Sequence, residues 1–249
     1  MTDILYFVLE WQHKHQMGDK MNHFDLAYKT LADNNNKVFI AVAGNIGCGK
    51  TTLTRKLSEK LGWRPHFESV EDNPYLSDFY KDMRTFSFPL KVYFLTHRFN
   101  GHRSIEQSNS SSIQDRSIYE DAHIFARALY ESGEMTARDY QNYLGLYKTM
   151  IDYISPPTLM IFLRRSITKL MERISLRGRD CEKNIPQEYI EKLNTYYEDW
   201  FKSYDAGKCL VIDTDELDFL NNQIHFDELV KRMHDAVDQK DLFYTFWQQ

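Results

Sequence analysis

Apolar residues arrive in this chain in two rhythms. Short unbroken runs stand at Val38-Phe39-Ile40-Ala41-Val42-Ala43, Leu159-Met160-Ile161-Phe162-Leu163 and Leu210-Val211-Ile212. Between them, apolar positions recur every three or four residues among charged ones. The first rhythm predicts strands buried on both faces, the second amphipathic helices. Strands are expected at 37–43, 64–68, 112–115, 158–163 and 208–213. Helices are expected near 50–61, 75–107, 119–131, 136–153, 167–177, 186–203 and 223–238. Strands and helices in alternation predict an α/β domain: a parallel sheet of five strands with helices on both faces. Ligands in such sheets collect at the carboxyl ends of the strands.

Residues 1–36 stand apart from this alternation. Ile4, Leu5, Val8, Leu9 and Gln12 fall at helical spacing, and Asp33-Asn34-Asn35-Asn36 closes the segment as a polar linker. The expected division is therefore a helical extension over 1–36 and one domain over 37–249. The extension would pack on the core or on a second subunit. Its apolar run Ile4–Leu9 is short, follows Asp3 and lacks a basic lead, unlike a signal peptide. No run approaches the ~18 apolar residues of a membrane span, so no membrane partner is expected.

Composition narrows the partners. The 249 residues are 42% hydrophobic and 27% charged, enough for a sizeable core. A net charge of −5 provides no basic field for a nucleic-acid polymer. Cys48, Cys181 and Cys209 are dispersed and odd in number, neither a disulfide framework nor a zinc spacing, and free thiols suit a reducing cytoplasm.

Candidate chemistry begins directly behind the first predicted strand. Gly44-Asn45-Ile46-Gly47-Cys48-Gly49-Lys50-Thr51-Thr52 matches the phosphate-binding pattern G-x-x-x-x-G-K-[ST], between a strand and a helix. The glycines let the loop curl with its N–H groups inward, and the following helix adds its positive end. Lys50 can reach β- and γ-phosphates, and the Thr51 hydroxyl can ligate Mg²⁺. The other strand ends also carry charge: Glu68, Asp115-Arg116 and Arg164-Arg165. Groups converging there would face a γ-phosphate, where transfer needs a metal, cations and a base for the acceptor hydroxyl. Arg173 and Arg177 share a helix face, and Arg179 follows Gly178 on the exit, so the three can close over phosphates as a lid.

Taken together, these residues resemble the deoxynucleoside kinases, the group of deoxycytidine, deoxyguanosine and deoxyadenosine kinases. The resemblance runs from about Val38 to Phe219. It rests on the loop at 44–52, Phe67-Glu68-Ser-Val-Glu-Asp-Asn-Pro-Tyr-Leu76, Phe79-Tyr80, Asp115-Arg116-Ser117-Ile118-Tyr119-Glu120-Asp121, and Arg173 through Glu182. The wording is most similar to the bacterial purine-preferring branch. It implies a three-layer P-loop kinase fold with an arginine-rich lid, an ATP phosphate donor, Mg²⁺, and a homodimer. It further implies 5′-phosphorylation of a deoxynucleoside in nucleotide salvage. Glu68 would be the general base, Asp115 would bind Mg²⁺ or its waters, and Arg116 would hold Glu68 and the 5′-oxygen. Tyr80 and Glu182 would bind the 3′-hydroxyl, Phe125 would stack on the base, and Arg98 and Asp121 would read its edges.

Lys91 and Arg98 lie two helical turns apart, and a continuous helix would bring Tyr80 onto the same face despite Pro89. Without the resemblance, Arg98 and Asp121 read equally as a surface ion pair of little weight. At Lys91 the family commonly carries glutamine. Lysine donates only, which suits N7 and O6 of guanine better than the amino group of adenine. Alternatively, Lys91 points to solvent or pairs with a carboxylate. The competing functions are a kinase-like subunit without chemistry, a deoxycytidine-preferring kinase, and a nucleoside monophosphate kinase. Glu68 would repel the acceptor phosphate that the last requires.

Overall fold

A computed structural model describes residues 37–68, 73–179 and 185–238. The expected extension at 1–36 and the substrate residue Glu182 lie outside them. Strands β1 (Phe39–Gly44), β2 (Arg64–His66), β3 (Ser112–Asp115), β4 (Leu159–Arg164) and β5 (Cys209–Asp213) form one sheet. Its order is β2-β3-β1-β4-β5, and every pair is parallel. Chain order reverses beside β1, so the loop leaving β1 opens at the switch point of the sheet.

All six residues of β1 are buried, which is why the run is apolar without alternation. Its side chains nonetheless divide between two cores. Ile40 and Val42 join Ile161 and Leu163 beneath α1 (Lys50–Leu61), α7 (Ile167–Arg177) and α9 (Gln223–Asp238). Ala41 and Ala43 join Met160 and Phe162 beneath α3 (Met83–Gln107), α6 (Ala137–Ile151) and α8 (Gln187–Ser203). Leu53 and Leu57 of α1 are fully buried, and each such side chain stabilises by roughly 1.5–3 kcal/mol.

Two predicted helices differ from expectation. The segment 75–107 breaks into α2 (Leu76–Lys81) and α3 at Asp82, whose backbone is non-helical and whose carboxylate caps α3 by accepting from the Thr85 N–H at 3.0 Å. Tyr80 and Lys91 therefore do not share a continuous helix. Pro89 sits inside α3 without ending it. The segment 119–131 is α4 (Ile118–Glu120), a wide π-helical turn (Asp121–Ala126) and α5 (Arg127–Glu131). Such turns are frequent at functional sites, and this one carries both Asp121 and Phe125.

Candidate active site

The phosphate loop is shaped by positive backbone angles. Gly44, Gly47 and Gly49 have φ of 144°, 85° and 103°. A Cβ on Gly44 would meet the Leu163 carbonyl at 2.6 Å, and one on Gly47 the Leu170 carbonyl at 2.9 Å. No other residue type fits these two positions. The same proximity seats α7 against the loop, with Arg173 Cβ 3.7 Å from the Gly47 Cβ position. Arg177 and Arg179 follow on the exposed end of α7, where Gly178 turns the chain at φ 62°. Two of the three arginines expected to form a lid, Arg173 and Arg177, thus stand on an element that touches the loop, and Arg179 follows it.

Within the loop, Lys50 is buried and donates to the Gly44 and Asn45 carbonyls, both at 2.9 Å. Asn45 turns its side chain into the fold, donating to the Ile190 carbonyl at 3.0 Å. Ile46 packs between the two cores, and Cys48 is buried. Thr51 and Thr52 open α1, half-buried. The Thr51 hydroxyl donates to Asp115 Oδ2 at 2.5 Å, so the two expected metal-binding groups meet at the end of β3. Two hard oxygen donors side by side at a phosphate loop fit Mg²⁺.

Asp115 and Arg116 face different partners. Asp115 touches the loop, while Arg116 Nε lies 3.2 Å from Glu68 Oε2. Arg116 achieves this from φ 70°, the one positive angle on a non-glycine described residue. Its guanidinium also lies 4.5 Å from the centre of the Phe125 ring. Burial would raise the Glu68 pKa, but Arg98 and Arg116 outweigh it and hold the carboxyl at about 2.

Arg98 connects Glu68 to a second carboxylate. One guanidinium nitrogen is bonded to Glu68, and another lies 2.6 Å from Asp121 Oδ1. Asp121 Oδ1 also takes the Lys91 ammonium at 2.8 Å, and Oδ2 accepts from the Tyr143 hydroxyl at 2.8 Å. Asp121 is fully buried, with Arg98 only 7% exposed, so the pair is not a surface one. Burial acts against both ions here. It lowers the Lys91 pKa despite Asp121, whereas the two cations hold Asp121 at about 2 against burial. Lys91 faces inward, 4.9 Å from the Phe125 ring and 5.3 Å from that of Phe94. Tyr80, on α2, is 41% exposed and lies edge-on to Phe79.

Sequence reasoning missed several participants. Tyr143 and Tyr197 are tyrosines in amphipathic helices, with nothing local to separate them from core residues. Glu120 follows the Asp-Arg-Ser motif, and its burial was the signal that no pattern carried. Conversely, Arg164 is engaged by Glu198 through two bonds of 2.7 and 2.6 Å, and Arg165 lies 3.6 Å from Asp215. Both strand-end arginines are paired beside the site. Among the described residues no cluster of His, Cys, Asp and Glu forms a further metal site, and no helix is long and apolar enough to cross a membrane.

The chain is similar to proteins of known activity. A family model described as deoxynucleoside kinase matches residues 40–238. A deoxyadenosine/deoxycytidine kinase of Bacillus subtilis is 36% identical over 200 residues, covering 80% of this chain and 92% of that protein. A deoxyguanosine kinase of the same organism is 31% identical over 208 residues, covering 82% and 99%. The solved structure of deoxyadenosine kinase from M. mycoides, with products dCMP and a flexible dCDP bound, superposes with a TM-score of 0.70. It is 31% identical and covers 80% of this chain and all of that one.

Proposed function

Because the chain belongs to the deoxynucleoside kinase family, we propose that it transfers the γ-phosphate of ATP to a 5′-hydroxyl held between Glu68, Arg116 and the phosphate loop. The observation that carries this is the Asp115-Arg116 dipeptide. One residue joins the loop at Thr51 and the next joins the acceptor-side carboxylate at Glu68. Donor and acceptor machinery therefore meet at one peptide unit.

Lys50 and the loop N–H groups hold the β- and γ-phosphates, and Arg173, Arg177 and Arg179 neutralise the transferring group. Thr51 and Asp115 would hold Mg²⁺, which would supply neutralising charge for the phosphates. Glu68 orients the 5′-hydroxyl by accepting its hydrogen bond. A carboxylate held at about 2 is a weak base, so it takes the proton late, once the oxygen has begun to bond to phosphorus. Tyr80 and Glu182 take the 3′-hydroxyl, and Phe125 stacks on the base. Glu68→Gln should lower kcat at least about 100-fold while the nucleoside KM stays within about threefold. Normal turnover of that variant would remove Glu68 from the chemistry.

For the base, the wall presents donors. Asp121 already accepts from Lys91 and Tyr143 and pairs with Arg98, and Arg98 Nε is buried with no hydrogen-bond partner among the described residues. On its N7 edge guanine offers two acceptors, N7 and O6, whereas adenine sets an amino donor beside N7 and cytosine presents an amino donor in place of O6. The preferred substrate is therefore deoxyguanosine. In a kcat/KM comparison of the four deoxynucleosides, Lys91→Gln should shift preference about tenfold toward deoxyadenosine or deoxycytidine, the loss of one good hydrogen-bond match. An unshifted ratio would place Lys91 outside base recognition.

The same proposal includes a homodimer in the cytoplasm, with 37–249 as one domain and 1–36 as a separate extension. The single sheet and the family match beginning at residue 40 support the division, the free thiols Cys48 and Cys209 fit a reducing compartment, and the homodimer rests on the family resemblance alone.

A further inference from the structure

We infer that Glu120 and Tyr197 are a positioning pair that ties the first glycine of the phosphate loop to Arg116. The pair is assembled from two distant parts of the chain. Glu120 ends α4, directly after the Asp-Arg-Ser segment, and is fully buried. Tyr197 comes from α8 and is also fully buried.

The two oxygens of Glu120 have separate tasks. Oε2 accepts from the Ser117 N–H at 2.8 Å and completes the capping box of α4, which is a local structural role. Oε1 does nothing for that helix. It accepts from the Tyr197 hydroxyl at 2.7 Å and from the Gly44 N–H at 3.3 Å. The Tyr197 hydroxyl in turn accepts from Arg116 Nη1 at 3.0 Å. That nitrogen is 3.7 Å from Glu120, and Nε of the same guanidinium is 3.2 Å from Glu68. A continuous path therefore runs from Gly44 through Glu120, Tyr197 and Arg116 to Glu68.

Arg116 needs such support. Its backbone at φ 70° is a strained conformation for a side-chain-bearing residue, persisting only where surroundings over-determine it. The backbone side is anchored by its N–H on the Val42 carbonyl at 2.9 Å. The guanidinium side is anchored by Tyr197 and Glu68. The Tyr197 hydroxyl is itself fixed, because its ring stacks on Phe162 of β4 at 5.7 Å and 19°. Burial and the adjacent Glu120 push the phenol pKa well above its ordinary value, so Tyr197 stays a donor to the carboxylate. Phe162 of β4 thus holds the Tyr197 ring from which the hydroxyl reaches both Glu120 and Arg116. Neither Glu120 nor Tyr197 has to touch substrate; they act through Gly44 and Arg116. The inference rests on the roles of Glu68 and Arg116 given above.

Tyr197→Phe removes only the hydroxyl and keeps the stacked ring. It should lower kcat about 10- to 100-fold, with KM for ATP and for the deoxynucleoside each within about threefold. Thermal unfolding of the same samples reports the folded fraction at the assay temperature. A kcat within twofold of the unsubstituted enzyme would overturn the inference. So would a loss of rate that merely matches a loss of folded protein. Glu120→Gln and the double variant complete the cycle. If the pair acts as a unit, the double variant is no slower than the worse single one, whereas multiplying effects would overturn the coupling. Should Glu120→Gln fail to fold, the kcat-against-KM result of Tyr197→Phe decides alone. Glu68→Gln is measured alongside. Its normal turnover would bring down the site assignment and the pair with it. Its collapse beside an unimpaired Tyr197→Phe would bring down the pair only.

Discussion

The donor and acceptor halves of the proposed site are built by different means. The phosphate loop is a run of nine residues whose shape comes from glycine backbone angles and close approaches to β4 and α7. The acceptor wall is a buried chain of alternating charge, from Lys91 through Asp121, Arg98 and Glu68 to Arg116. Its members come from α3, the β2 exit, the β3 exit and the π-helical turn. One half is backbone chemistry within a segment; the other is side-chain chemistry between segments. A loop of the first kind is damaged by adding atoms. A wall of the second kind is damaged by removing one charge from it.

The largest effect should come from breaking the wall at its most buried member. Asp121→Asn leaves Lys91 and Arg98 buried without their common anion, which costs about 3–5 kcal/mol of stability. Urea unfolding measures it, and a loss below about 1 kcal/mol would show that water or rearrangement replaces the anion. Next, Gly47→Ala adds one carbon at φ 85° and 2.9 Å from a carbonyl. It should cost about 1–3 kcal/mol and raise the KM for ATP, leaving the nucleoside KM within about twofold. A raised nucleoside KM instead would mean that the two halves are not separable. The smallest effect is a slope. Glu68 titrates at about 2 when folded and near its ordinary 4.5 when unfolded. Between those values the unfolded chain binds the extra proton, so stability is full above about 4.5 and is lost as pH falls through about 2. Glu68→Gln should flatten the acid limb of stability against pH relative to the unsubstituted protein. Equal slopes would show that the arginines do not hold Glu68.

The same division explains what could be read in advance. All five strands lie where they are expected, three of them on the apolar runs, within about two residues at each end. The loop was legible because glycine acts there through backbone conformation, and Lys50 and Thr51 through side chains, all within one short segment. Asp82 was not legible as a helix break, since one aspartate can cap a helix or ride on its surface. Arg98 and Asp121 fitted both a surface pair and a base-reading pair. Burial decided against the first and joined Arg98 to Glu68 as well.

By itself, the order of residues determined the alternating strands and helices, the parallel sheet and the phosphate loop, because each depends on periodicity or on local backbone freedom. Tertiary structure alone decided which cation faces which carboxylate. It set Arg98 between Glu68 and Asp121, turned Lys91 inward over Phe125, and brought Tyr197 of α8 to Glu120 and Arg116. The physical reason is that an ion pair is specified by distance and desolvation. Both are properties of packed elements far apart in sequence, and neither is carried by the residues alone.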